Sequence, residues 1–190
     1  MKKRFKVEIP TIDEIYSYLA NLAVKIKSSR EKYDLIVGVA RGGLIPARIL
    51  GDFLLIKDIR ILYARYYSKP YETVERPEIY SESIGDVSNK NILVVDDVAD
   101  TGDTLITIKN YLISKHARKV DIAVIYIKPW NKAEVRYFSR KTDAWIVFPW
   151  EFLETAIDLL NSDNKDEFIK ELRKKPKLKK ILEDLLDDDL

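Results

Sequence analysis

ILVVDDVADTGDTL, residues 92–105, joins an apolar run to two adjacent acids and then to a Thr-Gly-x-Thr turn. Within NILVVDD, residues 91–97, Ile92 to Val95 form a short apolar run of the kind that makes a fully buried strand in a parallel sheet. That strand delivers Asp96 and Asp97 to the C-terminal edge of the sheet, where open α/β folds bind their ligands. Asp100-Thr101-Gly102-Asp103-Thr104 then turns directly into a helix predicted over 103–115. Backbone N–H groups and the Thr101 and Thr104 hydroxyls converge near the positive end of that helix, which is how a phosphate cradle is built. Three acids beside a phosphate repel it unless they serve something else. Asp96 and Asp97 suit hydrogen bonds from sugar hydroxyls, or a magnesium ion held through water. The competing reading, a strand whose acids cap a neighbouring helix, accounts for Val-Val-Asp-Asp but leaves Thr-Gly-x-Thr unexplained.

The same grammar of apolar strand, glycine-bearing turn and helix recurs on either side. Thr11 opens a Thr-x-x-Glu capping box with Glu14, and Ile12, Ile15, Tyr16, Leu19, Leu22, Ala23 and Ile26 follow at helical spacing, predicting a helix over 12–29. YDLIVGV, 33–39, reads as a buried strand, and after Arg41-Gly42-Gly43 a helix is expected over 44–55 with Pro46 in its first turn. Further strands are expected at 59–67, 119–128 and 144–148. The fold class is therefore α/β: three layers, a mainly parallel sheet with helices on both faces. Residues 68–90 carry Pro70, Pro77 and Gly85 without a clear period, as in a lid or binding loop with room for a short β-ribbon. Residues 1–161 are read as the main domain. Residues 162–190 are read as a charged helical extension packed on that domain or on a partner subunit. This tail holds eight basic and nine acidic residues, with an apolar stripe of Leu172, Leu178, Ile181, Leu182, Leu185 and Leu186.

Composition narrows the chemistry. The 190 residues include no cysteine and one histidine, which excludes thiol nucleophiles, thiolate metal sites and poly-His sites. His116 falls at a predicted helix C-terminus, where it serves the helix dipole rather than catalysis. Carboxylates, lysines, arginines and backbone amides are what remain. A net charge of +2 argues against a nucleic-acid partner. No uninterrupted apolar run spans a membrane, and the basic start MKKRFKV has no apolar run behind it, so a cytoplasmic location is expected. The 34% charged residues, with a single methionine and no glutamine, fit either a heat-adapted protein or a biased genome.

ILVVDDVADTGDTL closely resembles the PRPP-binding signature of type I phosphoribosyltransferases. The resemblance implies that Asp100, Thr101, Gly102, Asp103 and Thr104 hold the 5′-phosphate of phosphoribosyl pyrophosphate (PRPP), and that Asp96 and Asp97 meet its ribose hydroxyls. VGVARGGLIPA, 37–47, looks like the pyrophosphate loop of the same family. That match implies a pyrophosphate site at Ala40, Arg41, Gly42 and Gly43, with a cis peptide at Ala40-Arg41. Asp100, immediately before Thr-Gly, is similar to the aspartate that faces purine N7 in the 6-oxopurine enzymes. Lys128, before Pro129, resembles the lysine that donates to the 6-oxo group, and a donor-only ammonium rejects adenine. DAWIVFPWE, 143–151, resembles the base-binding segment of bacterial xanthine-guanine enzymes. By that likeness Trp145 stacks on the purine and the Ile146 backbone meets its 2-position. Glu151 either assists magnesium or pyrophosphate, or caps the next helix.

The resemblance thus implies a 6-oxopurine phosphoribosyltransferase with Asp100 as its catalytic residue and Mg2+ as cofactor. PRPP, a purine base and the nucleoside monophosphate are its small-molecule partners, in a homodimer or homotetramer. Residues 66–85 are read as a mobile hood, with Tyr66, Tyr67 and Ser68 as the candidates for closing over the reaction centre. The rivals are a phosphoribosyltransferase for another base and a non-catalytic regulator that senses PRPP or nucleotides.

Overall fold

The computed structural model describes residues 5–67, 76–79 and 84–186. In chain order its first elements are β1 (Val7–Glu8), α1 (Ile12–Ser28), β2 (Leu35–Ala40), α2 (Leu44–Leu54), β3 (Ile59–Tyr67), β4 (Arg76–Ile79) and β5 (Asn91–Ala99). Then come α3 (Asp103–Ser114), β6 (Lys119–Ile127), β7 (Tyr137–Lys141), β8 (Trp145–Ile146), α4 (Phe152–Leu160), α5 (Lys165–Leu172) and α6 (Pro176–Leu186). These elements fall into two units, Ile15–Thr142 and a second formed by Met1–Glu14 with Asp143–Leu190.

The larger unit is built on a six-stranded sheet in the order β4-β3-β2-β5-β6-β7. Every neighbouring pair is parallel except β3 with β4. Strand alternation sorts the core onto two faces. Leu35, Val37 and Val39 join Ile92 and Val94, Val120, Ile122 and Val124, and the α3 residues Leu105, Ile108 and Leu112 in one buried cluster. Gly38 points the opposite way, where a Cβ on it would come within 3.0 Å of Ala47 in α2. Helices therefore cover both faces, as an all-apolar strand such as β2 demands. Arg60 ties β3 to the chain entering β5 by donating to the carbonyls of Ile84 and Asp86 at 2.8 Å each.

In the smaller unit β1 and β8 make a two-stranded parallel sheet. Val7, Ile9, Val147, Phe152, Ala156, Phe168, Leu172 and Leu182 form its core. The apolar stripe of the tail divides: Leu172 and Leu182 are buried, Leu178 and Leu186 pack against that core, and Ile181 and Leu185 are exposed. The expected capping box is made, with Thr11 N–H donating to Glu14 Oε2 at 2.8 Å and Glu14 N–H donating to Thr11 Oγ1 at 3.2 Å.

Two expectations are corrected. The strand expected at 144–148 is only two residues long and pairs with β1 outside the six-stranded sheet. Pro149 lacks an N–H for a continuing ladder. The sheet position beside β6 goes instead to β7, whose sequence YFSRK has one buried residue and so no apolar run to betray it. Among the described residues, the ribbon expected within 68–90 is not made inside that stretch: β4, its one described strand, pairs antiparallel with β3 outside it, Tyr66 opposite Pro77 and Tyr67 opposite Arg76. Ser68 and most of the expected hood lie outside the described residues. No described helix is long and apolar enough to cross a membrane.

Candidate active site

β5 lies between β2 and β6, and all three run parallel, so their C-terminal ends emerge side by side. The two ladders end at different heights. Pairing with β2 stops at Gly38↔Val95, whereas pairing with β6 continues to Ala99↔Ile127. Asp96 and Asp97 therefore sit inside the strand rather than at its end, on the stretch that has lost β2 as a partner. Asp97 is buried, and its N–H donates to Asp96 Oδ1 at 2.9 Å.

The loop leaving β2 fills the gap. The Ala40-Arg41 peptide is cis, as the resemblance implied. Gly43 N–H donates to Val39 O at 2.7 Å and Leu44 N–H to Arg41 O at 3.2 Å, folding the loop tightly into α2. Gly42 lies against the Asp97 carboxylate: a Cβ there would overlap Oδ2 and stand 2.6 Å from Cγ. Gly43 lies on backbone, where a Cβ would overlap the Val95 carbonyl and stand 2.6 Å from that of Val39. Both glycines are thus required by close approach, one to an acid of β5 and one to the sheet itself.

The turn from β5 into α3 pivots on Gly102 at φ 89°. Gly102 is the residue ahead of α3, so no side chain caps the first turn, and only the long 3.4 Å contact from Asp103 N–H to Thr101 Oγ1 competes there. The first amides of a three-turn helix are consequently presented to whatever anion lies in front of them. Lys128, at the end of β6, is buried and donates its N–H to Ala99 O at 3.0 Å. The next residues fold back over the cradle: Asn131 N–H donates to Lys128 O at 3.1 Å and Lys132 N–H to Thr101 O at 2.9 Å. Asn131 Oδ1 and Ala133 N would stand 2.5 and 2.6 Å from a Cβ on Gly102.

Trp130, inside that turn, is the residue the sequence reading missed. Its Nε1–H donates to Asp100 Oδ1 at 2.6 Å, and Lys128 Nζ lies 5.7 Å from its ring centroid. Its one sequence signal was its place two residues after Lys128. The larger unit therefore assembles residues 40–43, 96–97, 100–104, Lys128 and Trp130 at one edge. Among the described residues there is no cluster of three or more His, Cys, Asp or Glu arranged to hold a metal on its own. His116 takes the left-handed conformation just past α3, where its N–H bonds Ile113 O at 2.9 Å.

Trp145, Ile146 and Glu151 belong to the smaller unit. Trp145 is 51% exposed, so it is not a core tryptophan, and its ring lies 6.5 Å from that of Phe5. Trp145 N–H donates to Lys6 O at 2.8 Å and Val147 N–H to Glu8 O at 2.9 Å. By strand alternation the amide and carbonyl of Ile146 face away from β1, on the other edge of β8. Glu151 stands ahead of α4 but makes no side-chain capping bond to it. Trp150 stacks on Phe148, with centroids 4.9 Å apart and planes at 12°.

Residues 8–155 match the model of the family described as phosphoribosyl transferase domain. A xanthine-guanine phosphoribosyltransferase of Gluconobacter oxydans is 27% identical over 143 residues, covering 74% of this chain and 82% of that protein. One from Cereibacter sphaeroides is 31% identical over 122 residues, covering 61% of this chain and 68% of that protein. Among solved structures, a purine phosphoribosyltransferase from Pyrococcus horikoshii is similar with a TM-score of 0.68 at 33% identity, covering 77% of this chain and 94% of that one.

Proposed function

The chain belongs to the phosphoribosyl transferase domain family, and from that premise we propose that it is a purine-salvage enzyme converting guanine, hypoxanthine or xanthine with PRPP to the nucleoside 5′-monophosphate. The observation that carries the reading is the meeting, on three adjacent parallel strands, of the 41–43 loop, the Asp96-Asp97 pair, the 100–104 turn and Lys128. A ribose that carries a 5′-phosphate at one end, and at C1 exchanges a diphosphate for a base, needs those four elements side by side.

In this reading the amides of Gly102, Asp103 and Thr104, with the Thr101 and Thr104 hydroxyls, take the 5′-phosphate. Asp96 and Asp97 accept from the ribose hydroxyls, and Arg41 with the loop amides neutralises the diphosphate. The C1–O bond to pyrophosphate breaks with its electron pair on the leaving group, N9 of the base bonds to C1, and Asp100 accepts the proton shed at N7. Lys128 donates to the 6-oxo group, Trp145 stacks on the ring, and the outer edge of β8 at Ile146 meets the 2-position. Two adjacent carboxylates suit magnesium, which takes most of its oxygens from substrate phosphates and water, so Asp96 and Asp97 would hold it through water with Glu151 as a further candidate. Bound magnesium supplies charge neutralisation at the leaving group. The 66–85 segment excludes water from the activated ribosyl centre. A cytoplasmic homodimer or homotetramer, with 162–190 as its charged extension, completes the proposal.

Turnover of PRPP with hypoxanthine, guanine, xanthine, adenine and uracil tests it in one experiment. Nucleotide formation confined to 6-oxopurines is expected. Adenine or uracil as the preferred base, or no turnover with any, overturns the proposal.

A further inference from the structure

We infer that Trp130 is a positioning residue for base transfer, acting through Asp100 and Lys128; this rests on the phosphoribosyl-transfer reading above. One side chain touches both groups to which base recognition is assigned. Its indole N–H donates to Asp100 Oδ1 at 2.6 Å, and the Lys128 ammonium lies 5.7 Å from its ring centroid, within cation–π range.

The indole is not there for burial. Trp130 is 45% exposed, so it forgoes much of the area a tryptophan buries in a core. Its backbone, by contrast, is fixed. The turn that carries it is closed by Asn131 N–H to Lys128 O at 3.1 Å and clamped to the cradle by Lys132 N–H to Thr101 O at 2.9 Å. Asn131 braces it again, with Nδ2 donating to Ala133 O at 2.7 Å and Ala133 N–H donating to Oδ1 at 3.2 Å.

The chemistry follows from the donor inventory. Indole N–H is a donor only, so it occupies Oδ1 of Asp100 as an acceptor and leaves the base proton to Oδ2. The same bond restrains the carboxylate to one rotamer, and a general base must be held within hydrogen-bond reach of the proton it takes. The ring face lies beside the Lys128 ammonium at cation–π range and adds to what holds it. Asp100 and Lys128 are thereby set at a fixed separation, as N7 and the 6-oxo group are on one rigid base.

Two substitutions separate the contacts. Trp130→Phe keeps the ring face and removes the N–H; Trp130→Leu removes both. Trp130→Phe is expected to lower kcat with the preferred 6-oxopurine by about tenfold, the loss of one bond to a charged group, and to leave the PRPP KM unchanged. Trp130→Leu is expected to raise the base KM as well and to narrow discrimination against adenine. In an Asp100→Asn background, Trp130→Phe is expected to cost nothing further, because the amide, though it still accepts the indole N–H, takes no proton and leaves nothing to position. A direct readout on the folded protein accompanies these. The chain has three tryptophans, hence three indole N–H cross-peaks in 15N correlation spectra, and Asp100→Asn should move that of Trp130 alone.

Equal losses from Trp130→Phe in the parent and Asp100→Asn backgrounds would reduce Trp130 to a structural residue and overturn the inference. Parent-like turnover by Trp130→Phe, or an unmoved Trp130 cross-peak in Asp100→Asn, would overturn it too. If the parent protein turns over no 6-oxopurine at all, the underlying reading fails, which the parent assay alone reveals.

Discussion

The two glycines of the β2 loop are adjacent in sequence, yet replacing each by alanine should damage different properties. At Gly43 the added Cβ overlaps the Val95 carbonyl and stands 2.6 and 2.8 Å from Val39 O and N. All three are backbone atoms of β2 and β5, the two central strands. Restoring an ordinary carbon contact of about 3.5 Å needs a shift of roughly 1 Å in the sheet. Overpacking of this kind costs about 3 kcal/mol at the upper end of its usual range. For a chain of this size that lowers Tm by roughly 6–12 °C. At Gly42 the three atoms nearest the Cβ all belong to the Asp97 carboxylate, which can turn aside by rotating one side chain. Gly42→Ala should therefore cost about 1 kcal/mol, roughly 2–4 °C. Its main effect should be a rise of about tenfold in the PRPP KM, since Asp97, the proposed acceptor for the ribose hydroxyls, is displaced. Calorimetric melts of both variants without ligand, paired with PRPP saturation curves, measure the split. A Gly42→Ala protein that melts as low as Gly43→Ala, or that keeps the parent PRPP KM, refutes the reasoning.

Asp100→Asn is expected to lower kcat by roughly 10²-fold or more, the usual contribution of a general base; near-parent turnover at saturating base and PRPP removes that role. Lys128→Ala should raise the KM for the 6-oxopurine by about tenfold and relax discrimination against adenine, read as the ratio of kcat/KM values. Unchanged kinetics with guanine count against it. At the start of α1, the Thr11 backbone N–H is the first of the groups holding the Glu14 carboxyl below its ordinary 4.5. Because that value is depressed by folding, its stabilisation is present above the ordinary carboxylate range and is lost as pH falls through the lowered value. Glu14→Gln should accordingly destabilise at neutral pH, with the gap to the parent closing in acid; urea midpoints at pH 7 and about pH 3 test this. A gap of constant size contradicts the assignment.

What the sequence revealed and what it concealed divide along sequence distance. The β2–loop–α2 and β5–turn–α3 units were legible because strand, glycines and helix are contiguous, and because a buried parallel strand has no polar face to blur its ends. The true end of β5 was not. Asp96 and Asp97 look like the close of an apolar strand, but the ladder to β6 runs through backbone and carries Val98 and Ala99 with it. The Trp130–Asp100 bond joins residues 30 apart and exists only once β5 and β6 lie side by side. β1 and β8 are two residues each and pair across the length of the chain, so β1 had no local signal and β8 was legible only as part of a longer strand. Placement of Asp100 and Lys128 was accessible only through the family resemblance, since an acid in a turn and a lysine at a strand end are ordinary surface residues by composition.

The clasp between the β6–β7 turn and the β5–α3 turn also bears on the redesign of base preference. Lys132 N–H and Thr101 O, with Asn131 and Ala133 pressed on Gly102, make one bracket of the turn proposed to meet the base and the turn proposed to meet the phosphate. Lengthening or shortening the turn after Lys128 would pull on Thr101 and Gly102, and so on the proposed phosphate cradle. Side-chain exchange at 128 and 130 leaves the bracket intact. On the proposed roles, a designer seeking another base preference has two positions to vary and a backbone to leave alone.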